Sequence, residues 1–329
     1  GNLIALGDAP SWTARTEGFK RLVGGRPITV DPWRLFPDWF RSVAPLPPGP
    51  GAAKARQVAL IESLQSRPPL WVRVQGAEPE KVWDELRSQN LKLWIHRRLT
   101  DAAKLDPDVD LYHLPAFEHG RLEVQDLASQ AVAHIAQPDP GERWWDVCAG
   151  AGGKALHLAA LMQGKGVVVA SDPNEVRLKE AVRRARRSPF RNVSTKLWDG
   201  KHVVGKAGKY DGVLVDAPCS GLGTWRRNPE SRWTLDADAV NRLSALQTQI
   251  LQTASAGVKV GGALVYSVCT FTHAETRSVI DQFLQAHPGF QLDPFSSPLS
   301  GVETDGTLQI WPGESDHDAM FVARMIRTA

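Results

Sequence analysis

Cys219 in Asp216-Ala-Pro-Cys-Ser-Gly-Leu-Gly223 and Cys269 in Tyr266-Ser-Val-Cys-Thr270 stand fifty residues apart, each just after an apolar run. A thiolate is the side chain best suited to attack a weakly electrophilic carbon, and two thiols at neighbouring strand ends can divide attack and release between them. The pairing points to covalent chemistry on a pyrimidine ring. Chemistry alone does not say which thiol attacks. The third cysteine, Cys148, is expected to pack behind a glycine-rich loop rather than to react.

That loop is Cys148-Ala-Gly-Ala-Gly-Gly-Lys154. Its glycines let the backbone approach a ligand, and the amides opening the next helix receive an anion. The third glycine of a dinucleotide fingerprint is out of register, and Ala155 stands where a P-loop needs Ser or Thr. S-adenosylmethionine fits better: a carboxylate for the loop amides of Cys148, Ala149, Gly150, Ala151, Gly152, Gly153 and Lys154, a ribose diol for Asp172, and an adenine amine for Asp199. An isolated Asp is often a helix cap or turn residue. Asp172, Asp199 and Asp216 follow successive strands, which favours the ligand reading.

The elements that position these residues begin at Arg143. Strands are predicted at 144–147, 167–170, 193–197, 212–215 and 263–267, with helices at 155–162 and 175–187. Every strand delivers a polar or reactive residue at its C-terminal end, where open α/β sheets bind ligands. Upstream, a helix over 52–66, strands over 70–75 and 91–96 and a helix over 79–89 form a small α+β unit like a ferredoxin or RNA-recognition module. Residues 1–51 are rich in Pro and Gly and end in a stiff linker, Pro45-Leu-Pro-Pro-Gly-Pro-Gly51. The expected division is 1–51, 52–118 and a catalytic domain at 119–329.

The chain has 329 residues, 42% hydrophobic and 23% charged, with a net charge of +3. No apolar run approaches the length of a membrane span, and no signal-peptide pattern is present. Three cysteines argue against a disulfide framework and for a reducing, cytoplasmic setting. The weak net charge permits a polyanionic partner, so any nucleic-acid contact must be local. Arg183-Arg-Ala-Arg-Arg187 reads first as a solvated helix end and second as a phosphate track. Most of the 12 tryptophans, Trp71, Trp144 and Trp145 among them, sit in apolar patterns and are expected in the core.

Four phrases in order resemble the RsmB/Nop/Sun family of RNA 5-methylcytosine methyltransferases, over roughly residues 68–326. They are Gly120-Arg-Leu-Glu-Val-Gln-Asp-Leu-Ala-Ser129, the 148–154 loop, Asp216-Ala-Pro-Cys-Ser-Gly with its trailing Arg226-Arg227-Asn-Pro229, and Tyr266-Ser-Val-Cys-Thr270. Val268, Gly150 and Ala151 depart from the usual motifs without removing a reactive group. An amino-group methyltransferase would instead place Asp/Asn-Pro-Pro-Tyr/Phe after the fourth strand.

The resemblance implies a class I methyltransferase fold, α/β and Rossmann-like: a mixed, mostly parallel seven-stranded sheet with helices on both faces. It implies transfer of methyl from S-adenosylmethionine to C5 of an RNA cytosine through a covalent Cys–C6 adduct. Attack then falls to Cys269 and assistance of adduct breakdown to Cys219, although the Pro-Cys cysteine attacks in DNA cytosine methyltransferases. Asp216 would hold the N3 and amine edge of the ring, Lys154 would support that charge, and Arg226 and Arg227 would grip flanking phosphates. Ribosomal RNA is the expected substrate, with transfer RNA and a non-catalytic RNA-binding assembly role as alternatives. No metal and a monomeric state are expected.

Overall fold

The computed structural model describes residues 32–44, 53–76, 78–312 and 316–329. The linker expected at 45–51 lies outside them. Helix α1 (Ala53–Ser63) follows that stretch. It buries Leu60 and Ile61, with Leu64 just beyond its end, against Phe36, Phe40, Leu222, Trp225 and Phe271.

Strand β1 (Leu70–Val74), helix α2 (Pro79–Ser88) and strands β2 (Leu93–Ile95), β3 (Ala102–Leu105) and β4 (Leu122–Val124) form the first unit. The sheet order is β2-β3-β1-β4, and each neighbouring pair is antiparallel. Pro79, its φ already set for a helix, opens α2, which buries Val82, Trp83 and Leu86 on the sheet. The strand β4 falls beyond residue 118, since Leu122 and Glu123 pair with Val74 and Arg73 of β1.

The second sheet contains β5 (Arg143–Asp146), β6 (Val167–Asp172), β7 (Val193–Leu197), β8 (Tyr210–Asp216), β9 (Val258–Val268), β10 (Phe290–Leu292), β11 (Thr307–Ile310) and β12 (Met320–Arg327). The first five run parallel in the order β7-β6-β5-β8-β9; β12 follows antiparallel to β9, and β10, antiparallel to β12, completes the path. To the seven expected strands β11 adds an eighth, sharing one edge of β12 with β10.

Helices α3 (Leu127–Ala136) and α4 (Gly153–Leu161) cover one face over Trp144, Val168 and Leu214. Beside α4 on that same face, α5 (Glu175–Arg187) packs along β6 and β7, while on the other face α6 (Ala237–Ser255) and α7 (Arg277–Ala286) cover Trp145, Val213 and Tyr266. Burial on both faces explains why the central strands are continuous apolar runs. On β8, Gly212 leaves room for the indole of Trp144, which a Cβ there would approach to 2.2 Å. Strand order reverses at β5, so the loops after β5 and β8 flank one crevice.

Candidate active site

The register of the sheet brings the reactive residues together. Asp216, at the end of β8, pairs with Ser267 on β9, and the Ser267 hydroxyl donates to Asp216 Oδ1 at 2.7 Å. Lys154, in the first turn of α4, donates to Asp216 Oδ2 at 2.7 Å. Burial draws the Lys154 pKa down, but the charge and hydrogen bond of Asp216 carry it up. The Lys154 ammonium is therefore a fixed charge beneath the crevice.

The chain then turns after each strand to present a thiol. Cys219 and Cys269 meet with sulfurs 3.3 Å apart. The hydrogen bond shared with Cys269 and the burial of the site push the Cys219 thiol far up. This contact and burial therefore hold a proton on Cys219, beside Cys269. Cys148 packs against the sheet core, where burial and then the Asp146 charge raise its pKa well above a normal thiol. It is not a nucleophile.

A buried carboxylate that the sequence reading missed holds both thiol loops. Glu275 Oε1 accepts from the Ser220 amide at 2.8 Å and from Gln247 Nε2 at 3.1 Å. Its Oε2 accepts from Ser220 Oγ at 2.5 Å and Thr272 Oγ1 at 2.8 Å. Ser220 follows Cys219, and Thr272 lies three residues beyond Cys269, so one side chain spaces the two sulfurs. The only signal in the sequence was an acid close behind Cys269.

Gly150 and Gly152 take left-handed backbone conformations, φ 55° and 84°, to turn the loop from β5 into α4. The Gly150 amide donates to Asp172 Oδ2 at 2.9 Å, and the Asn174 amide to Oδ1 at 2.8 Å, so Asp172 is fixed against the loop. Asp199 is exposed after β7, capped by the Lys201 and His202 amides and by His202 Nδ1 at 2.5 Å; these contacts hold its pKa well down. Asp146, also unremarked in the sequence, is fully buried with no side chain paired to it. Burial and then the Asp216 charge raise its pKa to about 8.

The arginines differ from expectation. Arg226 is buried, its Nε donating to Asp318 Oδ1 at 2.7 Å, and Arg227 bonds to Asp318 at 2.5 Å and to Asp126 at 2.8 Å. They face inward because two acids distant in sequence neutralise them, which leaves neither free to hold a phosphate. Two of the four arginines at 183–187 also turn inward: Arg184 and Arg187 each reach Glu123 on β4 at 2.6 Å. Arg184 further donates to the Ala151 carbonyl at 3.1 Å, tying the glycine loop to the small sheet. Arg183 and Arg186 are exposed.

Comparison with known proteins agrees with this geometry. A family model described as 16S rRNA methyltransferase RsmB/F matches residues 133–326. The chain is 32% identical over 320 residues to the probable ribosomal RNA small subunit methyltransferase B of Synechocystis sp., covering 94% of this chain and 70% of that one. It is 32% identical over 285 residues to the ribosomal RNA small subunit methyltransferase B of Vibrio vulnificus, covering 82% of this chain and 62% of that one. The crystal structure of PH0851 superposes with a TM-score of 0.81 at 29% identity, over 96% of this chain and 73% of that one.

Proposed function

The chain belongs to the 16S rRNA methyltransferase RsmB/F family, and from that membership we propose that it transfers methyl from S-adenosylmethionine to C5 of a ribosomal RNA cytosine. The observation that carries this reading is the pair of thiols 3.3 Å apart in a site that also holds the Lys154–Asp216 ion pair. The small sheet, β4 included, is then the RNA-recognition element and the chain from α3 onward, residues 127–329, the catalytic domain.

The residues around the glycine loop suit the cofactor. First-turn amides of α4 have no partner within the helix and suit a carboxylate. Asp172, with both oxygens steered by backbone amides, suits a ribose diol, and exposed Asp199 an adenine amine. Cys148, Ala149, Gly150, Ala151, Gly152 and Gly153 form the floor, with Lys154 and Asp216 at its inner end. S-adenosylmethionine supplies an electrophilic methyl group on a sulfonium sulfur.

Carbon 5 of cytosine is a poor nucleophile until the ring gains electrons. Cys269, as thiolate, adds to C6. Asp216, steadied by Lys154 and Ser267, holds the ring by accepting from its amine edge, and the Lys154 ammonium offsets the charge that addition creates near N3. After transfer, a water molecule takes the C5 proton, its electron pair restores the C5–C6 double bond, and Cys269 departs as thiolate, assisted by the Cys219 thiol beside it. A paired cytosine must leave its helix before either sulfur reaches it. Since Arg226 and Arg227 are bound inward, phosphate contacts fall to other cations, such as Arg183 and Arg186.

The test supplies tritium-labelled S-adenosylmethionine to the purified chain with a 16S rRNA transcript or bulk transfer RNA, and maps 5-methylcytosine by bisulfite sequencing. Label at a cytosine of the ribosomal transcript is expected. Label in transfer RNA alone would overturn the substrate, and cofactor binding without label in either would overturn catalysis.

A further inference from the structure

Away from the catalytic crevice, Asp101, His134 and His157 converge from three elements. Asp101 lies in the turn before β3, and its carbonyl accepts from the Val74 amide of β1 at 2.8 Å. His134 is in the last turn of α3, and His157 lies on α4, three residues after Lys154. Asp101 Oδ2 is 3.5 Å from His134 Nε2 and 3.8 Å from His157 Nε2, and one ligand atom from each residue lies within 4.8 Å of the others.

These spacings are long for hydrogen bonds. They approach the separation of two donors on one metal, about 3.3–3.6 Å for bonds of about 2.0–2.1 Å at tetrahedral to trigonal angles. His157 is fully buried, yet neither of its ring nitrogens has a hydrogen-bond partner, and His134 Nε2 lacks one too. Buried polar atoms are seldom left unpaired. Two unpaired imidazole nitrogens, His134 Nε2 and His157 Nε2, face a single carboxylate and form a donor set short of its cation.

We propose that Asp101, His134 and His157 bind one zinc-class divalent ion, with a fourth position open to water, in a structural site that fastens the small sheet to α3 and α4. The donor chemistry selects the metal. Calcium and magnesium require several oxygen ligands, whereas two imidazoles with one carboxylate suit zinc and its neighbours. Arg73 is the opposing charge. Buried on β1, it donates through Nε to Gln125 Oε1 at 2.9 Å, and Glu123 and Asp101 offset it in part. Attraction of charge alone would not fill this site, so the imidazole donors must supply the affinity. Sequence reading predicted no metal because the ligands are 33 and 23 residues apart and match no spacing motif.

The full chain, stripped by a chelator and dialysed, is titrated with zinc, cobalt or magnesium chloride and followed by calorimetry, thermal melting and cobalt absorption. One equivalent of zinc is expected to bind and raise Tm in proportion to the logarithm of its free concentration, magnesium to do neither, and cobalt to show tetrahedral bands without a thiolate charge-transfer band. Asp101→Asn and His134→Ala, at partly exposed positions, should each weaken zinc binding at least tenfold. Absence of any zinc-dependent shift in the wild-type chain overturns the proposal. So does an equal response to magnesium, or a zinc response that survives both variants but disappears in Cys219→Ser/Cys269→Ser, which would place the ion on the thiols.

Discussion

The sulfurs of Cys219 and Cys269 are 3.3 Å apart, and this contact helps to keep the Cys219 thiol protonated. One proton shared at this distance gives the site one nucleophile and one donor. Cys269→Ala is expected to reduce methyl transfer to background. Cys219→Ala should instead accumulate a covalent RNA adduct, seen as a shifted band on a denaturing gel. An adduct that forms without Cys269 and requires Cys219 would reverse the roles.

Glu275 receives four hydrogen bonds of 3.1 Å or shorter from groups on either side of the thiols. Glu275→Gln swaps an acceptor oxygen for a donor that faces donors. Stability should fall by about 2–3 kcal/mol, the scale of a hydrogen bond to a charged group. Turnover should fall tenfold or more as the thiols lose register, with affinity for S-adenosylmethionine unchanged. Calorimetry and steady-state rates together check this, and a matched loss of cofactor affinity would count against a spacing role.

Asp146 carries its proton in the folded chain up to about pH 8 but loses it near pH 4 when unfolded. Between those values the folded state binds more protons, so this residue makes stability decline as pH rises, and its effect is constant above pH 8. Asp146→Asn retains the shape of the neutral acid. Relative to wild type, its stability in urea melts should be equal below about pH 4 and increasingly greater toward pH 8. A difference that is flat across this range would show that Asp146 is ionised in the fold.

The buried Glu123 carboxylate clasps Arg184 and Arg187, and Arg184 extends to the Ala151 carbonyl. Glu123→Gln should destabilise by about 3 kcal/mol, because it removes the partner of two partly buried cations. It should also weaken S-adenosylmethionine binding several-fold through the loosened loop. Arg183→Ala, which removes an exposed pair with Glu180, should change stability by under about 1 kcal/mol. Denaturant melts and cofactor titration of the two variants side by side test the distinction.

The central strands β6, β8 and β9 were legible because each is largely apolar and leads to a residue with chemistry: Asp172, Asp216 or, just past the strand, Cys269. Composition and local period carry that signal. What escaped were pairings across the chain. Arg226 and Arg227 look like a phosphate grip until Asp318, some 90 residues later, folds beneath them. Arg184 and Arg187 look solvated until Glu123 is placed beside them. Asp146 and Glu275 are ordinary acids in sequence, and only burial gives them their character. The Gln125-Asp126 phrase proves structural: Asp126 caps α3 through the Ala128 amide at 2.9 Å and holds Arg227, while Gln125 receives Arg73.

Strand β12 lies against β9, with Phe321 opposite Val268, and its approach supplies Asp318 to the arginines behind Cys219. During synthesis the small sheet can close once residue 124 has emerged from the ribosome. The edge bearing both cysteines must wait some 200 residues longer, until about residue 327 is free to slot in. A nascent chain therefore carries both thiols unpositioned while roughly its last 60 residues are made, and premature termination between Thr270 and Met320 yields a protein with every motif present and no assembled crevice.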